Sequence, residues 1–308
     1  MNPLETIHCN SLSELFTNLK SGDFIENGWV FRGQCDAAWE PRHAFERAVF
    51  DTYDIPQQNA EKVEKAMIRQ FQRQFPIYSY EIHEQSPDLE NQFEWLALLQ
   101  HYGAPTRLMD WTYSAYVALF FATHGYNPRK HGYTGEQLTH GFSIYAIHTR
   151  SLDDITFRNI WPAELLKMRG KDEGFRRAGY VNAQLNYNKD IPVPPCLVTI
   201  TPFGFNKRIS VQQGTFLATS SPAIRFSDAM SAVWAAKPTN KDYMKFYKKF
   251  ICHFDASEYK KTLTELHRMN LTSEAIYPGI EGCAQTLLQR VARSEFFTYS
   301  ELPGHPGT

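Results

Sequence analysis

The alternation of apolar and polar residues marks out helices and strands along most of this chain. Ser11-Leu12-Ser13-Glu14 reads as a capping box, in which a hydroxyl and a carboxylate satisfy the first amides of a helix. Leu15, Phe16 and Leu19 supply its apolar face and Gly22 its stop. Trp29-Val30-Phe31 reads as a short strand running into Arg32-Gly33-Gln34. Over 61–75, Val63, Ala66, Met67, Phe71 and Phe75 recur at helical spacing, and Pro76 is expected to close that helix. A second helix is expected over 89–100, with Leu89, Phe93, Leu96 and Ala97 on one side. After the turn His101-Tyr102-Gly103-Ala104-Pro105, residues Thr106 to Thr112 read as extended, and Ser114 is placed to cap an apolar helix from Ala115 to Thr123.

The second half is less regular. Tyr126–His140 is polar, contains glycine and reads as an exposed loop. Phe142–Ile147 and Cys196–Ile200 read as strands separated by a charged segment that resembles an insertion. Arg208–Val211 and Thr215–Ala218 read as adjoining strands around Gln212-Gln213-Gly214. Phe250–Phe254 is a further strand, followed by a helix over 256–269. No internal repeat or low-complexity linker is present. The expectation is an α+β fold: a lead-in over 1–28, one domain over 29–285 with insertions near 124–141 and 151–195, and a tail over 286–308, with helices flanking a mixed sheet.

Composition narrows the function. The 308 residues are 43% hydrophobic, with 32 basic against 33 acidic side chains, which argues against a surface built wholly for nucleic acid or membrane. The start, Met1-Asn2-Pro3-Leu4-Glu5-Thr6, lacks the basic and apolar blocks of a secretory signal, and the apolar run Ala115–Ala122 is too short to span a bilayer. The five cysteines are scattered without a Cys-x-x-Cys pair. Reduced thiols and a cytoplasmic location are therefore expected. Phosphate-binding glycine loops, the zinc-protease helix motif and the serine-hydrolase elbow are all absent, and no histidine stands at a spacing typical of zinc.

Three polar stretches stand out. Arg32 ends an aromatic strand, and Gly33 behind it would let a ligand approach the backbone. An arginine fork suits a diphosphate, although a structural ion pair is the plainer alternative. Thr106-Arg107-Leu108-Met109-Asp110-Trp111-Thr112 places hydroxyls, a cation, a carboxylate and an indole just before a capped helix, a junction that gathers ligand-binding groups. The alternative is an Arg107–Asp110 pair with Trp111 in the core. Gln212 stands at a glycine turn, where a glutamine usually caps backbone.

Four segments resemble the FRG domain, named for its Phe-Arg-Gly motif. They are Phe31-Arg32-Gly33-Gln34; Gln100 to Thr112 with Val117–Ala122; Arg208 to Phe216; and Tyr277-Pro278-Gly279-Ile280-Glu281-Gly282. The layout also resembles ADP-ribosyltransferases of the Arg–Ser–Glu type. That resemblance implies an ADP-ribosyltransferase-like fold, with Arg32 on the NAD phosphates, Asp110-Trp111-Thr112 in the Ser-Thr-Ser position and Gln212 near the late Glu. Two departures stand: only Thr112 keeps a hydroxyl in that triplet, and an amide replaces the late carboxylate. Asp110 or Glu281 is then the candidate to stabilise the positive charge that develops on the ribose.

The resemblance implies NAD as substrate, no metal, and a catalytic set of Arg32, Asp110, Thr112 and Gln212. Gly33, Gln34, His101, Tyr102, Arg107 and Trp111 are the implied cofactor contacts. It implies a macromolecular acceptor, RNA, DNA or protein, and a toxin or phage-defence effector with a neutralising antitoxin or regulatory partner. Two basic-aromatic stretches bear on the acceptor: Arg169, Lys171, Phe175, Arg176, Arg177 and Tyr180, and the run from Lys237 to Lys249. Such stretches can grip single-stranded nucleic acid, or can be solvated faces over buried rings. A non-catalytic module that binds a nucleotide or a partner is the rival reading, and the missing late carboxylate favours it.

Overall fold

A computed structural model describes residues 4–20, 24, 28–82, 86–89, 91–124, 141–161, 194–201, 207–237 and 245–292. The expected loop over 126–140, most of the 151–195 insertion, the first basic-aromatic stretch, Gly22 and the end of the tail lie outside the described residues.

The capping box forms as read. Ser11 Oγ accepts from Glu14 N at 3.2 Å and Glu14 Oε2 accepts from Asn10 N at 2.6 Å, opening α1 (Leu12–Leu19). Before it lies a strand the periodicity did not reveal, β1 (Glu5–Cys9), which pairs parallel with β7 (Tyr247–Cys252). Glu5–Cys9 of the expected lead-in are therefore part of the sheet. In order, the other strands are β2 (Trp29–Gln34), β3 (Leu108–Thr112), β4 (Phe142–His148), β5 (Leu197–Ile200) and β6 (Gly214–Thr219). They make one seven-stranded mixed sheet, β1-β7-β4-β2-β3-β6-β5, antiparallel except for β1–β7.

Alternation along the strands sends side chains to two cores. Val30, Tyr145 and Ile147 face one, which α2 (Ala60–Ile82), α3 (Gln92–His101) and α7 (Phe226–Ala236) cover with Ile68, Phe75, Trp95 and Val233. Trp29, Phe31, Ile144 and Ala146 face the other, under α1 and α4 (Ala115–His124). The architecture is α+β, a mixed sheet with helices on both faces.

Several expectations change. α2 runs through Pro76, because Phe75 is held in the core against Trp95, with ring centroids 5.4 Å apart, while Pro76 lies on the exposed side. There the carbonyl that a proline leaves unbonded can turn to water. α3 starts three residues later than read, capped by Asn91, and Leu89 stays exposed outside it. Residues 208–211 belong to a short helix, α6 (Lys207–Val211), since four alternating residues fit one helical turn as well as a strand. Gln213 then turns with φ of 49° into β6. The start of the presumed insertion is core structure: α5 (Thr149–Ile155) buries Leu152 and Ile155. The last expected strand begins at Tyr247, which takes Lys248 and Lys249 into the sheet interior. After β7 come α8 (Ala256–Arg268), α9 (Ser273–Ile276) and α10 (Ile280–Ala292). Among the described residues no helix is long and apolar enough to cross a membrane.

One seam of the sheet is open. β2 pairs with β4 all along Trp29–Gln34, whereas its register with β3 holds only Phe31 against Thr112. Beyond that pair the strands part, and the Arg32 guanidinium crosses to the Asp110 carbonyl at 2.6 Å.

Candidate functional site

The opening between β2 and β3 holds a cleft of about 800 Å³, within the range of small-molecule sites. Its floor is Arg32, Gly33 and Gln34 of β2 with Asp110, Trp111 and Thr112 of β3. Because these strands run antiparallel, the cleft has two ends. At the Gln34 end stand Trp39, Glu40, Arg42 and Arg47, carried by the loop after β2 and by a π-helix over Glu46–Thr52. At the Thr112 end stand Phe121, Arg208, Gln212 and Tyr277.

Four arginines face two carboxylates on this wall. Arg42 is spoken for, since it pairs with Glu46 at 2.9 Å and with Asp51. Arg32 binds a backbone carbonyl, and Arg208 lies over the Tyr277 ring at 5.0 Å. Among the described residues Arg32, Arg47 and Arg208 have no carboxylate within ion-pair distance, which leaves the cleft electropositive. Burial pulls the Arg32 pKa down; Asp110 opposes that shift and the like charge of Arg47 adds to it. The guanidinium still stays charged in a protein. Tyr277 is raised by burial, with Arg208 opposing and Asp110 reinforcing. Asp110 thus sits within electrostatic reach of Arg32 on the floor and of Tyr277 at the Thr112 end.

Polar atoms of the floor lack partners. Arg32 Nε, Gln34 Oε1 and Trp111 Nε1 are buried with no hydrogen bond among the described residues. Such groups are uncommon in folded proteins, and three in one cleft wall mark it as unlike ordinary core.

The expected site residues divide. Arg32, Gly33, Gln34, Asp110, Trp111, Thr112 and Gln212 all line the cleft. Gly33 also has a packing role: a Cβ there would collide with the Ala118 carbonyl oxygen and meet Ala122 N at 2.6 Å, so glycine lets α4 lie directly on β2. The Thr112 hydroxyl donates to the Gln212 carbonyl at 2.7 Å and accepts from Ser114 N at 3.0 Å. The Gln212 amide donates to the Ile276 carbonyl at 3.2 Å. Both therefore fasten the Thr112 end. Asp110 is exposed, and its Oδ1 accepts from Gln100 Nε2 at 2.8 Å.

Arg107, His101 and Tyr102 are not cleft residues. Arg107 is 1% exposed, faces Glu64 at 3.3 Å and donates to the Ser220 carbonyl at 3.1 Å. Its partner is on α2, so the alternative of a local Arg107–Asp110 pair does not form. His101 and Tyr102 close α3 with their rings 4.9 Å apart. Glu281 lies exposed on the first turn of α10, away from the cleft wall. Asp110 is the one of the two proposed carboxylates that reaches the site.

Sequence reasoning missed Trp39, Arg42 and Arg47. A tryptophan and two arginines within thirteen residues of Gln34 were the available signal. In the second basic-aromatic stretch Lys245 is exposed, but its last two lysines go to the interior. Lys248 is 2% exposed and pairs with Glu5 at 3.4 Å, and Lys249 donates to the Ala37 carbonyl at 2.7 Å. No group of three or more His, Cys, Asp or Glu side chains that could hold a metal occurs among the described residues.

Comparison with known families agrees with the Phe-Arg-Gly motif. Residues 27–131 match the FRG domain. The match takes in β2, β3 and α4, hence the floor of the cleft, and ends before Arg208 and Tyr277. No curated protein and no solved structure matches the chain.

Proposed function

We propose that the cleft binds NAD and that the protein is an ADP-ribosyltransferase-like effector acting on a macromolecular acceptor. The carrying observation is the open β2–β3 seam, which gathers Arg32, Arg47, Asp110 and Arg208 around one cavity of nucleotide size. Cationic forks suit a diphosphate, and aromatic walls suit bases. In this reading Arg32 and Arg47 hold the diphosphate and the Asp110 carboxylate lies by the nicotinamide ribose. The C1′–N bond breaks with its electron pair leaving on neutral nicotinamide. Positive charge develops on the sugar, and Asp110 stabilises it. A lone pair of the acceptor then bonds to C1′ and the acceptor's proton passes to Asp110 or to water. An effector of this kind harms its own cell, which fits a toxin held by a neutralising partner.

A second reading, a binding module without turnover, is favoured by one observation. Thr112 and Gln212, to which the resemblance assigns the positions of a catalytic hydroxyl and carboxylate, spend their side chains on backbone carbonyls. Incubating the full-length protein with labelled NAD and RNA, DNA or protein acceptors separates the two. Label transfer that disappears in Arg32→Ala and Asp110→Asn supports the enzyme. Binding of NAD with no nicotinamide release supports the module.

A further inference from the structure

The aromatic residues of the cleft differ in what covers their rings. Phe31 and Trp111 are buried. Phe121 and Tyr277 pack edge to face at 6.1 Å, and Arg208 lies over Tyr277. Trp39 is 52% exposed, and among the described residues neither a ring nor a cation stacks on its indole. A large apolar surface presented to a cleft is the kind of feature that marks a binding face.

The backbone that carries this indole is fastened from beneath. Tyr145, 1% exposed, donates its hydroxyl to the Trp39 carbonyl at 2.8 Å. Lys249 holds the Ala37 carbonyl at 2.7 Å while its amine lies over the Tyr145 ring at 4.9 Å. Ala37 N donates to the Gly141 carbonyl at 2.6 Å, and Ala38 N to Asp36 Oδ1 at 2.8 Å. A lysine and a tyrosine buried in the sheet thus serve the loop over 36–39. A loop tied at successive residues holds its side chain ready and lowers the ordering cost of binding.

We propose that Trp39 is the stacking face for the purine base of the nucleotide, and that Tyr145 and Lys249 are positioning residues for it. The inference rests on the proposed NAD site and assigns its orientation. The antiparallel strands place Trp39 and Arg47 at the Gln34 end, Arg32 and Asp110 between, and Tyr277 with Arg208 at the Thr112 end. The scissile ribose must lie by Asp110, so the diphosphate lies on Arg32 and Arg47 and the adenine reaches the free indole.

The test is calorimetric titration of the full-length protein with ADP-ribose and, separately, with inorganic pyrophosphate. In Trp39→Ala, ADP-ribose affinity is expected to fall about ten- to a hundredfold, with pyrophosphate affinity unchanged. Trp39→Phe restores most of the loss, and Tyr145→Phe, which removes only the hydroxyl, gives a smaller loss for ADP-ribose alone. Equal ADP-ribose affinity in wild type and Trp39→Ala overturns the stacking role and leaves the phosphate site standing. Equal losses for both ligands also overturn it, because they indicate damage to the whole cleft. Failure of the wild type to bind either ligand overturns the NAD reading itself.

Discussion

The guanidinium of Arg32 donates to the backbone carbonyl of Asp110 across 2.6 Å, at the point where β2 and β3 stop pairing. A side chain here takes the place of a ladder hydrogen bond. It lets two neighbouring strands part without leaving the Asp110 carbonyl unsatisfied, and it anchors the arginine at the cleft floor with other donors of its fork uncommitted.

This double duty predicts a separation between charge and fork. Arg32→Lys keeps the cation but loses the planar donors, and is expected to bind ADP-ribose about tenfold more weakly than wild type. Arg32→Ala loses both and is expected to bind at least a hundredfold more weakly. Titration of the folded variants checks the order.

Gly33→Ala tests the packing beneath the site. Its methyl would press on the α4 backbone, which cannot move aside as a flexible side chain can. A destabilisation of about 3 kcal/mol or more is expected, at the upper end of overpacking costs. Urea denaturation reads it, and a variant as stable as wild type would refute the close helix–strand approach.

Arg107 belongs to stability. Removing it as Arg107→Ala leaves Glu64 buried without its cation, at a cost of about 3–5 kcal/mol. The double variant Arg107→Met, Glu64→Leu is expected to recover most of that loss. Ligand affinity of the double variant should match wild type, since neither residue lines the cleft.

His43 gives a pH signature. It is buried against Glu46 at 3.2 Å and the Ile224 carbonyl, and burial lowers its pKa to about 3, with Arg107, Arg42 and Arg47 adding to the shift. The unfolded chain therefore takes up this proton near pH 6.5 while the folded chain does not. Stability is unaffected above that pH and falls as pH drops from about 6.5 toward 3, by up to about 1.4 kcal/mol per unit. Glu46 acts in the opposite sense, because burial raises its pKa. Denaturation curves between pH 7 and 5 should therefore slope in wild type and flatten in His43→Asn.

Local signals made much of this fold legible. The Ser11 and Ser114 caps, the strand ahead of Arg32 and the apolar α4 each announce themselves within a few residues. The floor of the cleft was legible for the same reason, because its residues lie in two short polar stretches. The end formed by Trp39 was not. Its loop is set by Tyr145 and Lys249, 106 and 212 residues from the carbonyls they hold, and nothing local to Asp36–Trp39 encodes those partners. Lys248 and Lys249 misled in the opposite direction, since two adjacent lysines read as surface until strand pairing buries them. Arg208 fell on the wrong element because four residues cannot separate a period of 2 from one of 3.6.

The central claim is that the open seam between β2 and β3 binds a dinucleotide through Arg32. Its most direct test is titration of the full-length protein with ADP-ribose, beside Arg32→Ala at matched melting temperature. Saturable one-to-one binding by the wild type, lost in the variant, is the predicted result. Absence of saturable binding by the wild type, or equal binding by both proteins, would contradict it.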